Sequence, residues 1–327
     1  MPKRKKPDPE SVDVGYSFET HAAPEELSIK PVETSKDKIK QPELAEHDDM
    51  FIPPLGSSII ISGKSGSGKS TLLSNLITDH RFYGPSEQHP NGWFDKIFLF
   101  SPTANGDDIQ KSLGIDPKYV FTDLDEAEEL LEVILDSQQD KIDDESADTV
   151  EQYCIIYDDF IGNVKFMNTK AFARTFYQVR HVNCTTIACT QHFKRVPRMC
   201  RLQANFIFFF QGSSSEVETV CEEFAPPEYT SKEFKTIVNE ATRTPYSFLT
   251  INMKVPWAKR LRRNLDEFIK LPRLTDEQEE STGTNKDTKR TKEYARVGEK
   301  SEHLVENSIN LRLSDQSTEE YKDGPNE

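Results

Sequence analysis

One segment constrains the fold of this chain more than any other: Ser58-Ile59-Ile60-Ile61-Ser62 followed at once by Gly63-Lys64-Ser65-Gly66-Ser67-Gly68-Lys69-Ser70-Thr71. A short β-branched run ends in the spacing GxxxxGK[ST], and Leu72, Leu73, Leu76 and Ile77 then recur at helical spacing. A strand, a glycine loop and a helix in that order form a phosphate cradle. The glycines let backbone N–H groups wrap inward, and the helix presents its positive N-terminus. Lys69 reaches the β and γ phosphates of a nucleotide, and Ser70 offers its hydroxyl to Mg²⁺. The nucleotide-binding residues are therefore Gly63 through Thr71, and the helix is expected from Lys69 to about His80.

Apolar, β-branched runs alternate with helical stretches along the rest of the chain. Further strands are expected at Lys96–Phe100, stopped by Pro102, at a short edge Tyr119–Phe121, and at Tyr153–Tyr157, Thr185–Cys189, Asn205–Phe210 and Ser247–Met253. Helices are expected from Leu124 to about Leu135 and from about Thr169 to Val179, with a polar, acidic surface loop over 136–152. A basic segment, Lys259 to Arg263, follows the last strand. The alternation implies an α/β domain with a mostly parallel central sheet flanked by helices. Cys154, Cys184, Cys189, Cys200 and Cys221 form no CxxC pair, so buried reduced thiols are expected rather than a zinc ribbon or a disulfide framework.

A phosphate cradle needs an acidic partner at the tip of another central strand. Cys154-Ile155-Ile156-Tyr157 runs into Asp158-Asp159. Asp158 is the candidate to hold Mg²⁺ through water, and Asp159 the candidate general base on the attacking water. The tandem acid points to ATP hydrolysis; the absence of an [NT]KxD sequence lowers the case for GTP. Gln191, after the strand Thr185–Cys189, is the candidate sensor of the γ-phosphate, with Asn183 and His192 fitting less well. For an arginine supplied by a neighbouring subunit, Arg180 is the first choice, followed by Arg174 and Arg201.

Charge divides the chain sharply. The formal net charge of the 327 residues is -15, which argues against a surface that binds nucleic acid everywhere. Residues 1–50 (net -4) and 272–327 (net -5) lack apolar periodicity and read as disordered tails, leaving 51–271 as one domain. Within that domain residues 105–160 hold 3 basic and 18 acidic side chains, whereas 161–265 hold 16 and 7. Lys194, Arg195, Arg198, Arg201, Lys259, Arg260, Arg262 and Arg263 belong to the basic half, which could face the phosphates of a duplex. Trp257 is expected to be a core anchor. Pro2-Lys3-Arg4-Lys5-Lys6-Pro7 reads as a nuclear import signal or a nucleic-acid arm. No apolar run is long enough to span a bilayer and no signal peptide is evident, so an intracellular protein without membrane association is expected.

Taken in order, GKSGSGKST, Phe100-Ser101-Pro102-Thr103, IIYDD, Arg180-His181, Thr190-Gln191, Arg201 before an apolar strand and Leu261-Arg262-Arg263-Asn264 resemble the genome-packaging ATPases of nucleocytoplasmic large DNA viruses, virophages and Polinton-like elements, within the FtsK/HerA superfamily. The resemblance covers about residues 51–270. It implies a RecA-like P-loop NTPase of the ASCE class that uses ATP and Mg²⁺. It further implies a homo-oligomeric ring that pumps double-stranded DNA into a preformed capsid, with a capsid or portal-vertex protein as partner. The nucleus or a viral assembly site of the host cell is the implied location. A HerA-like cellular helicase and a nucleotide-switched capsid-assembly factor without motor activity are the competing readings.

Overall fold

The computed structural model of the protein describes residues 38–104, 109–124, 126–227 and 229–269. The basic run Pro2–Pro7 and the expected tails before residue 38 and after 271 lie outside the described residues. Residues 38–50, which hydropathy assigns to the N-terminal tail, pack on the domain. The short helix Glu43–Glu46 buries Ala45, Gln41 Oε1 accepts from Leu55 N at 2.6 Å, and the carbonyls of Asp49 and Met50 accept from Arg262. Most of these contacts are made by backbone and polar groups, so a hydropathy pattern does not register them.

Among the described residues nine strands form one sheet: β1 (Ser58–Ser62), β2 (Lys96–Phe100), β3 (Val120–Phe121), β4 (Tyr153–Asp158), β5 (Cys184–Thr190), β6 (Phe206–Phe210), β7 (Phe248–Asn252), β8 (Leu261–Arg263) and β9 (Glu267–Phe268). Their spatial order is β3-β2-β4-β5-β1-β6-β7-β8-β9. β3 through β6 run parallel, and β7, β8 and β9 continue the sheet antiparallel. Every residue of β1, β5 and β6 is buried, as parallel strands covered on both faces require. On one side Tyr157, Phe160, Phe166 and Phe172 form a fully buried aromatic cluster, the Tyr157 and Phe172 centroids 4.9 Å apart. Each such ring pair contributes about 0.5–1.5 kcal/mol beyond its buried area.

The mostly parallel α/β architecture matches expectation, and three local readings change. The acidic helix extends over Ala127–Asp144, so the surface loop shrinks to 145–152. Leu131, Ile134, Leu135 and Gln138 form its buried face. The helix continues because Gln138, polar yet fully buried, occupies the next inward position and donates to Glu151 O at 2.9 Å. The expected strand Ser247–Met253 is not the last: the basic segment after β7 forms the end of a helical turn, Trp257–Arg260, and then β8. Trp257 is not a core anchor; it is partly exposed and the Arg260 guanidinium lies 3.5 Å above its ring. All five cysteines are free and buried. Among the described residues no helix is long and apolar enough to cross a membrane.

Candidate nucleotide site

β1 delivers the chain to the carboxyl edge of the sheet, where Gly63 N donates to Thr190 O of β5 at 3.1 Å. Gly63 must be glycine because a Cβ there would lie 2.5 Å from Phe210 Cβ and 2.7 Å from Ser67 Oγ. The loop then turns through Gly68, whose φ of 104° is open to glycine and costly to other residues, into the helix Lys69–Thr78. The first intrahelical bond, Leu72 N to Gly68 O, is 2.9 Å. The unpaired N–H groups of that first turn face the loop and favour an anion. Lys69 Nζ donates to Lys64 O at 3.1 Å, so the ammonium lies folded across the loop.

β4 brings the acidic pair to the same edge. β5 is inserted between β4 and β1, with Asp158 in register with Cys189 and Ser62 with Thr190. Two strand spacings, about 10 Å, therefore separate the P-loop strand from the acidic strand. Asp159 adopts φ 49°, the left-handed conformation that aspartate tolerates better than most residues, as the chain leaves the strand. Gln191, one residue beyond β5, donates from Nε2 to Asp159 Oδ1 at 3.0 Å. The buried Cys189 thiol reports how close these charges lie. Burial pushes it well above its usual pKa, the Asp158 carboxylate adds to that, Lys69 opposes it and Asp159 adds again. The Ser70 hydroxyl and the Asp158 carboxylate are hard oxygen donors suited to Mg²⁺, which binds through one or two protein groups together with phosphates.

The other expected site residues separate from this cluster. Asn183 sits at the amino end of β5, where its side-chain amide donates to Ala147 O and Val150 O and ties down the loop before β4. His192 follows Gln191 but turns outward, 3.9 Å from Glu216. Arg180 lies at the amino edge against Gly56, where an added Cβ would be 3.4 Å from the Arg180 Cα. The length of the seven-residue β5 puts it about 20 Å from its own P-loop. Arg174 pairs with Asp136 at 2.7 Å and hydrogen-bonds Gln178. Arg201 is buried: its guanidinium makes a bidentate pair with Glu223 at 2.6 and 2.8 Å and donates to the carbonyls of Lys194 and Val196. Arg262, 0% exposed, donates to the Met50, Asp49 and Leu265 carbonyls. Neither Arg201 nor Arg262 can face a duplex. Lys194, Arg195 and Arg198 remain on the surface, immediately beyond Gln191.

The structure adds residues that the sequence pattern does not single out. A cavity of about 310 Å³ opens beside the P-loop, lined by Lys64–Ser67, by Phe210 and Gln211 at the end of β6, and by Thr242–Ser247. Arg243 brings a second cation to it besides Lys64. Thr242–Ser247 lie about 180 positions after the P-loop in an ordinary turn sequence, and only the pairing of β6 with β1 and of β7 with β6 brings them to it.

A family model described as the Poxvirus A32 protein matches residues 56–227. An uncharacterized protein, 075L of Invertebrate iridescent virus 6, is 25% identical over 190 residues, which span 58% of this chain and 65% of that protein. Among solved structures, B204, the DNA-packaging ATPase of Sulfolobus Turreted Icosahedral Virus, aligns with 64% of this chain and 97% of its own at 14% identity and a TM-score of 0.45. The genome packaging NTPase B204 of Sulfolobus turreted icosahedral virus 2, in complex with AMPPCP, aligns with 65% of this chain and 98% of its own at 14% identity and a TM-score of 0.43.

Proposed function

We propose that this chain, which belongs to the Poxvirus A32 protein family, is an ATP-hydrolysing motor that moves double-stranded viral DNA into a preformed capsid during virion assembly. The observation that carries the reading is the meeting of three strand tips. The Lys69 loop follows β1, Asp158-Asp159 follows β4, and Gln191 follows the strand inserted between them and is hydrogen-bonded to Asp159.

In this reading the Gly63–Thr71 backbone and Lys69 hold the triphosphate of ATP. Asp159 takes a proton from the attacking water as that water's oxygen bonds to the γ-phosphorus and the bond from that phosphorus to the β–γ bridging oxygen breaks, ADP leaving with that oxygen. Gln191 keeps the carboxylate aimed while sensing the γ-phosphate. Ser70 and Asp158 would hold Mg²⁺, whose contribution when bound is to neutralise developing phosphate charge. Arg243 is the arginine on the cavity wall of the same subunit, and Arg180 can serve only the site of a neighbour in a homo-oligomeric ring. Lys194, Arg195 and Arg198 follow Gln191 directly, which supports a route from phosphate chemistry to a DNA-facing loop. A capsid or portal-vertex protein and a host assembly site, in the nucleus or elsewhere in the infected cell, complete the proposal.

The test measures ATP turnover with and without double-stranded DNA. Lys69→Ala and Asp159→Asn are each expected to abolish DNA-stimulated hydrolysis in a folded protein. Turnover unaltered in both would overturn the reading.

A further inference from the structure

The cavity beside the P-loop has a wall that the proposed mechanism leaves unused. Tyr246 is 72% exposed, the highest figure among the exposed large hydrophobic side chains of the described residues. Its φ of 65° is an outlier for a bulky residue. Local bonds hold the turn in this shape: Ser247 N and Oγ both donate to Thr244 O, at 3.1 and 2.7 Å, and Arg263 donates to Thr244 Oγ1 at 3.1 Å.

The Tyr246 ring is positioned against the phosphate cradle. A Cβ placed on Gly68 would lie 3.3 Å from Tyr246 Cδ1 and 3.5 Å from Phe210 Cε1, so these two rings flank the last glycine before the helix. Both line the cavity with Lys64–Ser67, and the cavity wall includes Lys64 and Arg243 but no acidic side chain. An aromatic face held in solvent, on a strained backbone, gains nothing from the fold. Beside an anion cradle it offers a flat surface to a planar group joined to the anion.

We infer that Tyr246 forms the nucleobase subsite of this cavity, its ring stacking on the base of the nucleotide whose phosphates the Gly63–Thr71 loop holds. The inference rests on the phosphate-cradle reading of that loop. Stacking on an aromatic side chain is tolerant of base identity because every base has a π-face. The subsite therefore favours nucleotides over bare polyphosphate and discriminates weakly between adenine and guanine.

Calorimetry on the full chain separates the two readings, with ATP, GTP and inorganic tripolyphosphate as probes. Tyr246→Ala is expected to weaken ATP and GTP by about 5- to 150-fold, the range of one base–aromatic stack, and to leave tripolyphosphate affinity unchanged. Tyr246→Phe is expected to keep the affinity for all three. Equal ATP affinity in the Tyr246→Ala and parent chains overturns the inference. A parallel loss of tripolyphosphate affinity also overturns it, since the turn would then be shaping the cradle rather than meeting a base. Lys69→Ala tests the underlying reading on its own: if it binds tripolyphosphate as tightly as the parent chain, the phosphate cradle itself is wrong, whatever Tyr246 does.

Discussion

Gln191 donates a 3.0 Å hydrogen bond from Nε2 to Asp159 Oδ1, joining the tip of β5 to the residue that follows β4. An amide in this position can hold the carboxylate of a general base and can also exchange that bond for a γ-phosphate oxygen. Gln191→Ala should therefore lower kcat, by about 10²-fold on the scale of general-base effects, with little change in KM. Gln191→Glu, which sets a carboxylate against a carboxylate, should raise the apparent pKa on the acid limb of the kcat profile. A steady-state pH series on both variants checks this, and an unshifted kcat would reduce Gln191 to a surface amide.

Arg201 and Glu223 form a pair whose side chains are each 7% exposed. Removing one partner leaves the other charge buried, which costs about 3–5 kcal/mol. Arg201→Met should therefore unfold at markedly lower denaturant concentration, and adding Glu223→Met should restore most of the loss. Chemical denaturation of the single and double variants measures both. A stable Arg201→Met chain with impaired turnover would instead return Arg201 to the list of catalytic arginines.

Gln191 and Arg201 differ in how far the sequence alone places them. The strand–glycine loop–helix order around Gly63–Thr71 and the place of Asp158-Asp159 at the end of β4 are legible because local spacing encodes them: a strand, a glycine turn and a helix start are contiguous in the chain, and so are an apolar run and its terminal acids. The parallel strands were legible because double-sided burial leaves β-branched and aromatic runs such as Phe206–Phe210. Arg201 and Arg262 were misread as surface charge because hydropathy carries no information about carbonyls and carboxylates that gather around a guanidinium. The extra turns of the helix Ala127–Asp144 were hidden for a related reason, since its next inward position is filled by Gln138 rather than by an apolar residue. Tyr246 and Arg243 have no such local signal, because the φ of Tyr246 and the strand order β1-β6-β7 are properties of the fold alone.

Glu151 ties the amino edge together by accepting from Lys141, Lys96 and the Tyr153 hydroxyl. The bond from Lys141, then those from Lys96 and Tyr153, hold its carboxyl down at about 2. A depressed folded-state pKa means that the unfolded chain binds the proton more readily. The contribution is then fully present above the usual glutamate range near 4.3 and is lost as pH falls toward 2. The Glu151 side chain is 40% exposed, so solvent screens the network and its worth stays below about 1 kcal/mol. Glu151→Gln should be slightly less stable than the parent chain at pH 7, and the gap should close between pH 4 and pH 2. Paired denaturation curves across that range test the sign; a gap that widens on acidification contradicts it.

With Arg201 and Arg262 assigned to the interior, Lys194, Arg195 and Arg198 are the cations left exposed on the segment that follows Gln191. Arg198 already lies 3.5 Å from Glu223, which leaves Lys194 and Arg195 as the more available pair for phosphate. Each phosphate contact releases condensed counterion, so log affinity falls with log salt by about 0.9 per contact. Replacing both Lys194 and Arg195 by alanine should therefore weaken duplex DNA binding evenly across sequences and make the salt dependence shallower by about 2. The same double replacement at Lys232 and Lys235, on the helix Ser231–Ala241, should leave the slope unchanged. Fluorescence anisotropy with two unrelated duplexes at several salt concentrations reads the slope directly. An unchanged slope for the Lys194/Arg195 variant would move the duplex to another face of the protein and would break the proposed route from Gln191 to DNA.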